Sequence, residues 1–241
     1  MIFLDFDGVL YNTVKEAYAV AMITNNNVTN LSEIDFSSKH YRDFLENRYL
    51  IGPAWNYKYL LQALSNHGLK NIESEYNHLL LAATKNEYVQ FEKMFFNTRL
   101  SLQKQDFEKW LLLNEPYDFL TTLKNYLIRF PEKFIIITTK DKKTVLKLLK
   151  MHNIDFAVTR IFDKEDFDQV GNKGEIIQNI MDTQKITHAV FVDDSAKHLE
   201  QCKNIENLEL CQASWGYISP KDTKTVSEKI VFDKIKKIIG F

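Results

Sequence analysis

The sequence predicts an α/β protein, a Rossmann-like parallel sheet core into which an all-helical cap domain is inserted. Three observations carry that expectation. Wholly apolar runs at Met1-Ile2-Phe3-Leu4, Phe134-Ile135-Ile136-Ile137 and Ala189-Val190-Phe191-Val192 read as strands buried on both faces. After Pro116 such runs alternate with helical periodicity, as parallel strands require. Between residues 14 and 115 the alternation stops, and Gly52, Gly68 and Pro53 are the only backbone breakers. The expected boundaries are therefore 1–13 with 116–241 for the core and 14–115 for the cap. The insertion is expected over the carboxyl ends of the strands, where open α/β sheets bind ligands.

Composition narrows the function classes. A chain of 241 residues is long enough to bury a core in one or two domains. Its formal net charge of -1 argues against a general nucleic-acid binder. No apolar run approaches the ~18 residues of a membrane helix. Asp5 and Asp7 interrupt the first apolar segment and no basic stretch precedes it, so no signal peptide is expected. Cys202 and Cys211 are too few for a disulfide scaffold or a zinc site and read as small apolar residues. The expected setting is reducing and cytoplasmic.

The elements follow in order. The first strand ends at Asp5-Phe6-Asp7-Gly8, where the glycine marks a turn. Thr13-Val14-Lys15-Glu16 has the form of a capping box opening a helix to about Thr24, with Val14, Ala17, Tyr18, Ala21 and Met22 on one face. Asn25-Asn26-Asn27 ends it, and a polar loop runs to Ser38. Tyr41, Phe44, Leu45 and Tyr49 share a helical face. Pro53 suits the first turn of a helix bearing Tyr57, Leu60, Leu61 and Leu64, with Asn66-His67-Gly68 as its carboxyl cap. A long helical segment is expected from Ile72 to Leu113. Beyond Pro116 come a helix over 117–129, the Phe134 strand, and a helix capped by Asp141 with Val145, Leu148 and Leu149 inward. Phe156-Ala157-Val158-Thr159 reads as a weaker strand, and Asn172 as the cap of a helix carrying Ile176, Ile177 and Ile180. The Ala189 strand, a last strand at 208–211 and an amphipathic tail helix over 226–239 complete the chain.

Chemistry-bearing residues gather at the strand ends. Asp5 and Asp7 close the first strand, Thr138 and Thr139 the second, and Asp193 and Asp194 a later one. Lys173 stands at a helix start in Gly171-Asn172-Lys173-Gly174. Taken singly, Thr138 is a strand residue, Lys173 a solvated lysine and Asp194 a helix cap. Taken together, an acid pair, a hydroxyl, a lysine and a second acid pair on one sheet edge describe a phosphoryl-transfer site. Carboxylates from separate strands suit Mg²⁺, a hard cation that accepts one or two of them and keeps several waters. One carboxylate can attack phosphorus while a second acid protonates the leaving oxygen and later activates water.

This order of motifs resembles the haloacid dehalogenase-like hydrolase superfamily. Asp5-Phe6-Asp7-Gly8-Val9-Leu10 is similar to its first motif, which implies Asp5 as nucleophile and Asp7 as general acid/base. Thr138-Thr139-Lys140 resembles the second, implying that Thr138, with Thr139 beside it, binds phosphate. Lys173 matches the lysine of the third, although the usual Lys-Pro is missing and Lys164 is the alternative. Asp193-Asp194-Ser195 resembles the fourth. The resemblance implies Mg²⁺ on Asp5, the Asp7 carbonyl and Asp194 or Asp193; because Asp193 stands where many members have glycine, which acid binds directly is left open. Trp215-Gly216-Tyr217 is similar to a segment of phosphoglycolate-phosphatase-like members, and the insertion occupies the place of the first-type cap.

The resemblance thus implies a Mg²⁺-dependent phosphatase for a small phosphorylated metabolite, acting through an aspartyl-phosphate on Asp5. Asp7 favours phosphate chemistry, since dehalogenating relatives have no acid there. A phosphomutase would share the four motifs, and a non-catalytic regulatory protein could share the fold. Arg42 and Arg48 are near enough to the Gly52-Pro53 break to meet a substrate anion, yet both also suit solvated helix faces. Trp55 and Trp110 read as packing, and His40, His67 and His78 lack the spacing of a metal site.

Overall fold

The computed structural model describes residues 1–66 and 71–240. The chain divides into two compact units, one of Met1–Asn12 with Glu115–Phe241 and the other of Thr13–Asn114. The described elements run β1 (Ile2–Leu4), β2 (Tyr11–Asn12), α1 (Val14–Thr24), α2 (Lys39–Glu46), α3 (Asn56–Ser65), α4 (Ile72–Ala82), α5 (Lys85–Gln105) and α6 (Phe107–Leu111). They continue with β3 (Glu115–Pro116), α7 (Asp118–Arg129), β4 (Phe134–Ile137), α8 (Lys142–Met151), β5 (Ile161–Phe162) and α9 (Lys164–Val170). The last are α10 (Lys173–Thr183), β6 (Ala189–Asp193), α11 (Ala196–Gln201), β7 (Leu208–Ala213), β8 (Thr225–Val226) and α12 (Glu228–Ile239).

The first unit is an α/β core. Its sheet has the order β5-β4-β1-β6-β7-β8, and every pairing in it is parallel. β1 is central, with Phe3 opposite Ile135 on one side and Phe191 on the other. Side chains of β1, β4 and β6 are buried on both faces, which is why these segments read as unbroken apolar runs. Phe3, Ile135, Ile137 and Phe191 form one face and pack against Ile176, Ile177 and Ile180 of α10 and Leu199 of α11. Each such apolar side chain contributes ~1.5–3 kcal/mol relative to exposure. The sheet is therefore held from its middle, and its carboxyl edge is free to carry polar groups. Phe119 of α7 and Phe232 of α12 meet with ring centroids 4.9 Å apart.

Two strand expectations need correction. Phe156 to Thr159 is not a strand: Val158–Arg160 forms a 3₁₀ turn and pairing begins at Ile161, opposite Ile136. Phe156 is buried as an anchor while Val158 is exposed, so this stretch does not alternate as a strand would. The 208–211 strand continues to Ala213 and is not the last, because Thr225 pairs with Gln212 as a short edge strand. A further two-stranded antiparallel ribbon, Tyr11–Asn12 with Glu115–Pro116, closes the ends of this unit's two segments. Two-residue strands carry no periodicity, which is why they escape a sequence reading.

The second unit is all-helical among the described residues. Its long carboxyl-terminal segment breaks twice. Thr84 and Glu87 make a capping box that starts α5, and Asp106 accepts from the Lys109 N–H at the start of α6. The capping box expected at Thr13 does not form, since the Thr13 side chain makes no cap hydrogen bond. Glu16 turns inward instead, fully buried, and accepts from Arg99 Nε at 2.6 Å, Arg99 Nη2 at 3.0 Å and Trp110 Nε1 at 3.2 Å. A bidentate, charge-assisted pair with a buried arginine outweighs a cap contact of ~1 kcal/mol. The expected carboxyl cap at Asn66-His67-Gly68 extends beyond the described residues.

Candidate active site

The site is built at the carboxyl edge of the parallel sheet, from β1 outward. The Asp5 N–H extends the ladder by one bond, 2.9 Å to the Val192 carbonyl. The chain then turns back within six residues: the Leu10 and Tyr11 amides reach the Phe6 carbonyl, and the Gly8 amide reaches Tyr11. Gly8 has φ +87°, which an L side chain tolerates poorly. Its missing Cβ also matters, because one built there would lie 2.1 Å from Asp194 Oδ2. Gly216 is the mirror case: a Cβ there would lie 2.3 Å from the Gly8 carbonyl oxygen and 2.4 Å from Asp194 Cβ. The Asp194 carboxylate thus lies against the turn that follows Asp5.

Lys173 is the first residue of α10, capped by Asn172 and Glu175 in a full capping box. Its side chain is 2 % exposed, and Nζ lies 2.9 Å from Asp5 Oδ1 and 2.7 Å from Asp193 Oδ2. Lys173, not Lys164, reaches these acids. Asp5 Oδ1 also accepts from the Phe6 N–H at 2.7 Å, so the carboxylate has one defined orientation. Burial pushes the Asp5 carboxyl up to about 6, helped by repulsion from Asp193 and opposed by Lys173. Burial also opposes ionisation of Asp193, but Lys173 and then His198 overcome it and hold that carboxyl well below the ordinary range. For Lys173, burial favours the neutral amine, and the charges of Asp193 and Asp5 reverse this and raise its pKa.

Asp7 and Asp5 leave the strand end toward different cations. The Asp7 carboxylate lies 3.2 Å from Lys140 Nζ, whose side chain is buried. Thr138 is fully buried, its N–H donating to Phe162 and its Oγ1 accepting from the Lys140 N–H at 3.1 Å. Thr139 beside it is half-buried. Asp141 caps α8 as expected, accepting from the Thr144 N–H at 2.9 Å. Asp194 Oδ2 accepts from the Tyr217 N–H at 2.6 Å, and Trp215 Nε1 donates to the Val9 carbonyl at 3.0 Å. The Trp-Gly-Tyr segment therefore ties the end of β7 to the first turn.

Lys140 and His198 are the two participants that residue patterns did not single out. Lys140 had a signal, as the third residue of the Thr-Thr-Lys run. His198 had almost none beyond falling early in the helix after an acidic strand end. In the helical unit, Arg42 donates to the Ser37 carbonyl. Arg48 is buried, with its guanidinium 5.3 Å from the Tyr57 ring centre. Trp55 stacks on Tyr88 and Trp110 is fully buried, as packing residues.

Four carboxylates (Asp5, Asp7, Asp193, Asp194) and two lysines (Lys140, Lys173) thus share one strand edge. An excess of carboxylate with oxygen donors on adjacent strands fits a hard divalent cation. Asp5, Asp193 and His198 also place one ligand atom each within 4.8 Å of one another. The Lys173 ammonium already fills the space between Asp5 and Asp193, so that triad is an ion-paired cluster by geometry.

No protein-family model and no curated protein matches the sequence. Solved structures do match along the whole length. A haloacid dehalogenase-like hydrolase family protein from Streptococcus pneumoniae aligns with TM-score 0.60 at 13 % identity, covering 97 % of each chain. A predicted phosphoglycolate phosphatase from Haemophilus somnus aligns with TM-score 0.58 at 14 % identity, again covering 97 % of each. Protein Tyrosine Kinase A from Mycobacterium tuberculosis aligns with TM-score 0.56 at 11 % identity over 100 % of this chain and 97 % of its own. The chain therefore has the haloacid dehalogenase-like fold, an α/β Rossmann-like core with a helical insertion. One fold carries proteins named for different activities, so the reaction has to be argued from the site.

Proposed function

We propose that this chain is a Mg²⁺-dependent phosphatase of the haloacid dehalogenase-like type, acting on a small phosphorylated metabolite. The observation that carries the reading is the Lys173 ammonium bridging Asp5 Oδ1 and Asp193 Oδ2. It fixes a buried carboxylate at a strand end in one orientation and supplies a positive charge beside it. That is what a carboxylate nucleophile facing a dianionic phosphate requires.

In this reading Asp5 attacks phosphorus; the bond from phosphorus to the leaving oxygen breaks as the aspartyl-phosphate forms. Asp7 gives its proton to the leaving oxygen, then takes one from the water that hydrolyses the acyl phosphate. Lys140, beside Asp7, holds that carboxyl toward the reacting oxygens. Lys173, the Thr138 hydroxyl and the neighbouring amides hold the phosphoryl oxygens as charge moves among them. Asp5, Asp194 and the Asp7 carbonyl would hold Mg²⁺, which offsets the carboxylates' repulsion and lowers the charge presented to the phosphate. Asp194 is assigned over Asp193 because both Asp193 oxygens are taken up by other donors. We assign the helical unit, Thr13–Asn114, the choice of substrate. No described helix is long and apolar enough to cross a membrane.

The test is a panel of phosphate monoesters, including p-nitrophenyl phosphate and hexose phosphates, assayed with and without Mg²⁺ beside Asp5→Asn. Turnover that needs Mg²⁺ and is lost in Asp5→Asn supports the reading; no turnover by the wild-type protein on any ester would sink it.

A further inference from the structure

The buried acid Asp193 is engaged on every side. Oδ1 accepts from the Ser195 N–H at 2.8 Å, Oδ2 from Lys173 Nζ at 2.7 Å, and His198 Nδ1 lies 3.2 Å and 3.1 Å from the two. These donors come from three places: the turn after β6, the start of α10, and the first turn of α11. Asp193 is fully buried and the His198 side chain is 16 % exposed. A carboxylate accepts and cannot donate, so Nδ1 must carry the hydrogen in this contact. The Asp193 carboxylate has several positions open to it about its own side-chain bonds; the histidine and the Ser195 amide leave it one.

We propose that His198 is a positioning residue: through Asp193 it fixes the Lys173 ammonium, and through Lys173 it fixes the Asp5 carboxylate. The proposal rests on the phosphatase reading for its kinetic consequence but not for its geometry. The chain His198–Asp193–Lys173–Asp5 joins four residues from three separate stretches of sequence by hydrogen bonds of 2.7 to 3.2 Å. Lys173 has two carboxylates to choose between, 2.9 Å and 2.7 Å away. With Asp193 held from behind, the ammonium stays between them. With Asp193 released, the ammonium can follow either acid, and the nucleophile loses its fixed orientation. Outer residues that orient an inner group in this way typically change activity by roughly 10- to 100-fold when removed.

The experiment compares wild-type protein with H198A, H198N and H198Q. An asparagine amide nitrogen stands close to where Nδ1 stands, whereas that of glutamine extends toward Nε2, so only H198N restores the donor. With p-nitrophenyl phosphate and Mg²⁺, H198A should lower kcat by about 10- to 100-fold with KM little changed. H198N should recover most of that loss and H198Q little. The kinetics are run at saturating Mg²⁺, with Mn²⁺ affinity read by electron paramagnetic resonance in all three, because Asp5 is assigned to the cation and a loosened carboxylate also weakens that site. A second readout needs neither metal nor turnover. In the metal-free protein, ¹H–¹⁵N correlation spectra should show hydrogen on Nδ1 of His198 and a slowly exchanging Lys173 ammonium, the latter lost in H198A and kept in H198N. A wild-type His198 carrying hydrogen only on Nε2, or an H198A protein with kcat and Lys173 signal unchanged, overturns the proposal. So does an H198N protein as impaired as H198A, or a loss of Mn²⁺ affinity that accounts for the loss of kcat. Should the wild-type protein turn over no ester, the function reading fails alone and the spectra decide His198.

Discussion

The Lys173 ammonium stands between Asp5 and Asp193, 2.9 Å from one carboxylate and 2.7 Å from the other, with 2 % of its side chain exposed. One buried cation is thereby shared by two acids that their strands force together. Asp5 follows β1 and Asp193 ends β6, and these strands are hydrogen-bonded neighbours in parallel register. The same arrangement that makes the site chemically useful makes it a concentrated source of strain when a member is removed.

Replacing the lysine exposes that strain. Lys173→Met should destabilise the metal-free protein by roughly 3–5 kcal/mol, because two buried carboxylates lose their common partner. Urea denaturation of the two proteins without metal measures the difference. Activity should fall by about 10²-fold or more, as for loss of a group that stabilises developing charge.

Asp7 should matter most when the leaving group needs a proton. Asp7→Asn is expected to lower kcat by about 10²- to 10⁴-fold on an alkyl phosphate. On p-nitrophenyl phosphate the loss should be smaller in the first chemical step, because nitrophenolate leaves unprotonated. Pre-steady-state bursts on both esters check this, and equal losses in that step would remove Asp7 as the acid.

Gly216 is expected to be intolerant for steric reasons. A Cβ there would lie 2.3 Å from the Gly8 carbonyl oxygen and 2.4 Å from Asp194 Cβ, neither of which can yield easily. Gly216→Ala should cost ~1–3 kcal/mol of stability, as overpacking does, and weaken Mg²⁺ binding by displacing Asp194. Thermal melting with and without Mg²⁺ separates the two effects.

The buried Asp5 carboxyl predicts an unusual pH dependence of stability without metal. Its pKa rises from 3.8 to about 6 on folding, chiefly by burial. Between those values the folded protein binds more protons than the unfolded chain, so Asp5 makes stability fall as pH rises from about 4 to about 6. Asp193, held below the ordinary range, acts in the opposite sense and only at lower pH. Subtracting the Asp5→Asn melting curve from the wild-type curve across pH 4–7 isolates the Asp5 contribution. Added Mg²⁺ should flatten the difference by favouring the carboxylate.

In the helical unit, Glu16 and Arg99 form a bidentate pair, with side chains 0 % and 5 % exposed. Arg99→Met should destabilise by roughly 3–5 kcal/mol, since Glu16 would stay buried without its bidentate cation. Replacing both Glu16 and Arg99 with apolar residues of similar size should be milder than either single change. A double-mutant cycle by denaturant titration reads this directly.

Much of the architecture was legible because it rests on local pattern. The β1, β4 and β6 runs are apolar on both faces, so their burial follows from composition alone. Asp141 and Asn172 were readable as caps because capping depends on neighbouring residues. Thr13 had the same local form and failed as a cap, because Arg99, 83 positions away from Glu16, supplied a stronger partner. The ribbon of β2 with β3 and the edge strand β8 were not legible, being two residues long and stabilised by their surroundings.

The amino-acid order by itself determined the class of fold and which acids, hydroxyl and lysine stand where the apolar runs stop. Those depend on periodicity and on which residue types stand where apolar runs stop. Only the tertiary structure decided the pairings: Lys173 with Asp5 and Asp193, Lys140 with Asp7, Asp194 against Gly8, and His198 behind Asp193. Partners of that kind are chosen by distance and by competition for buried charge, and both arise only once the strands are laid side by side.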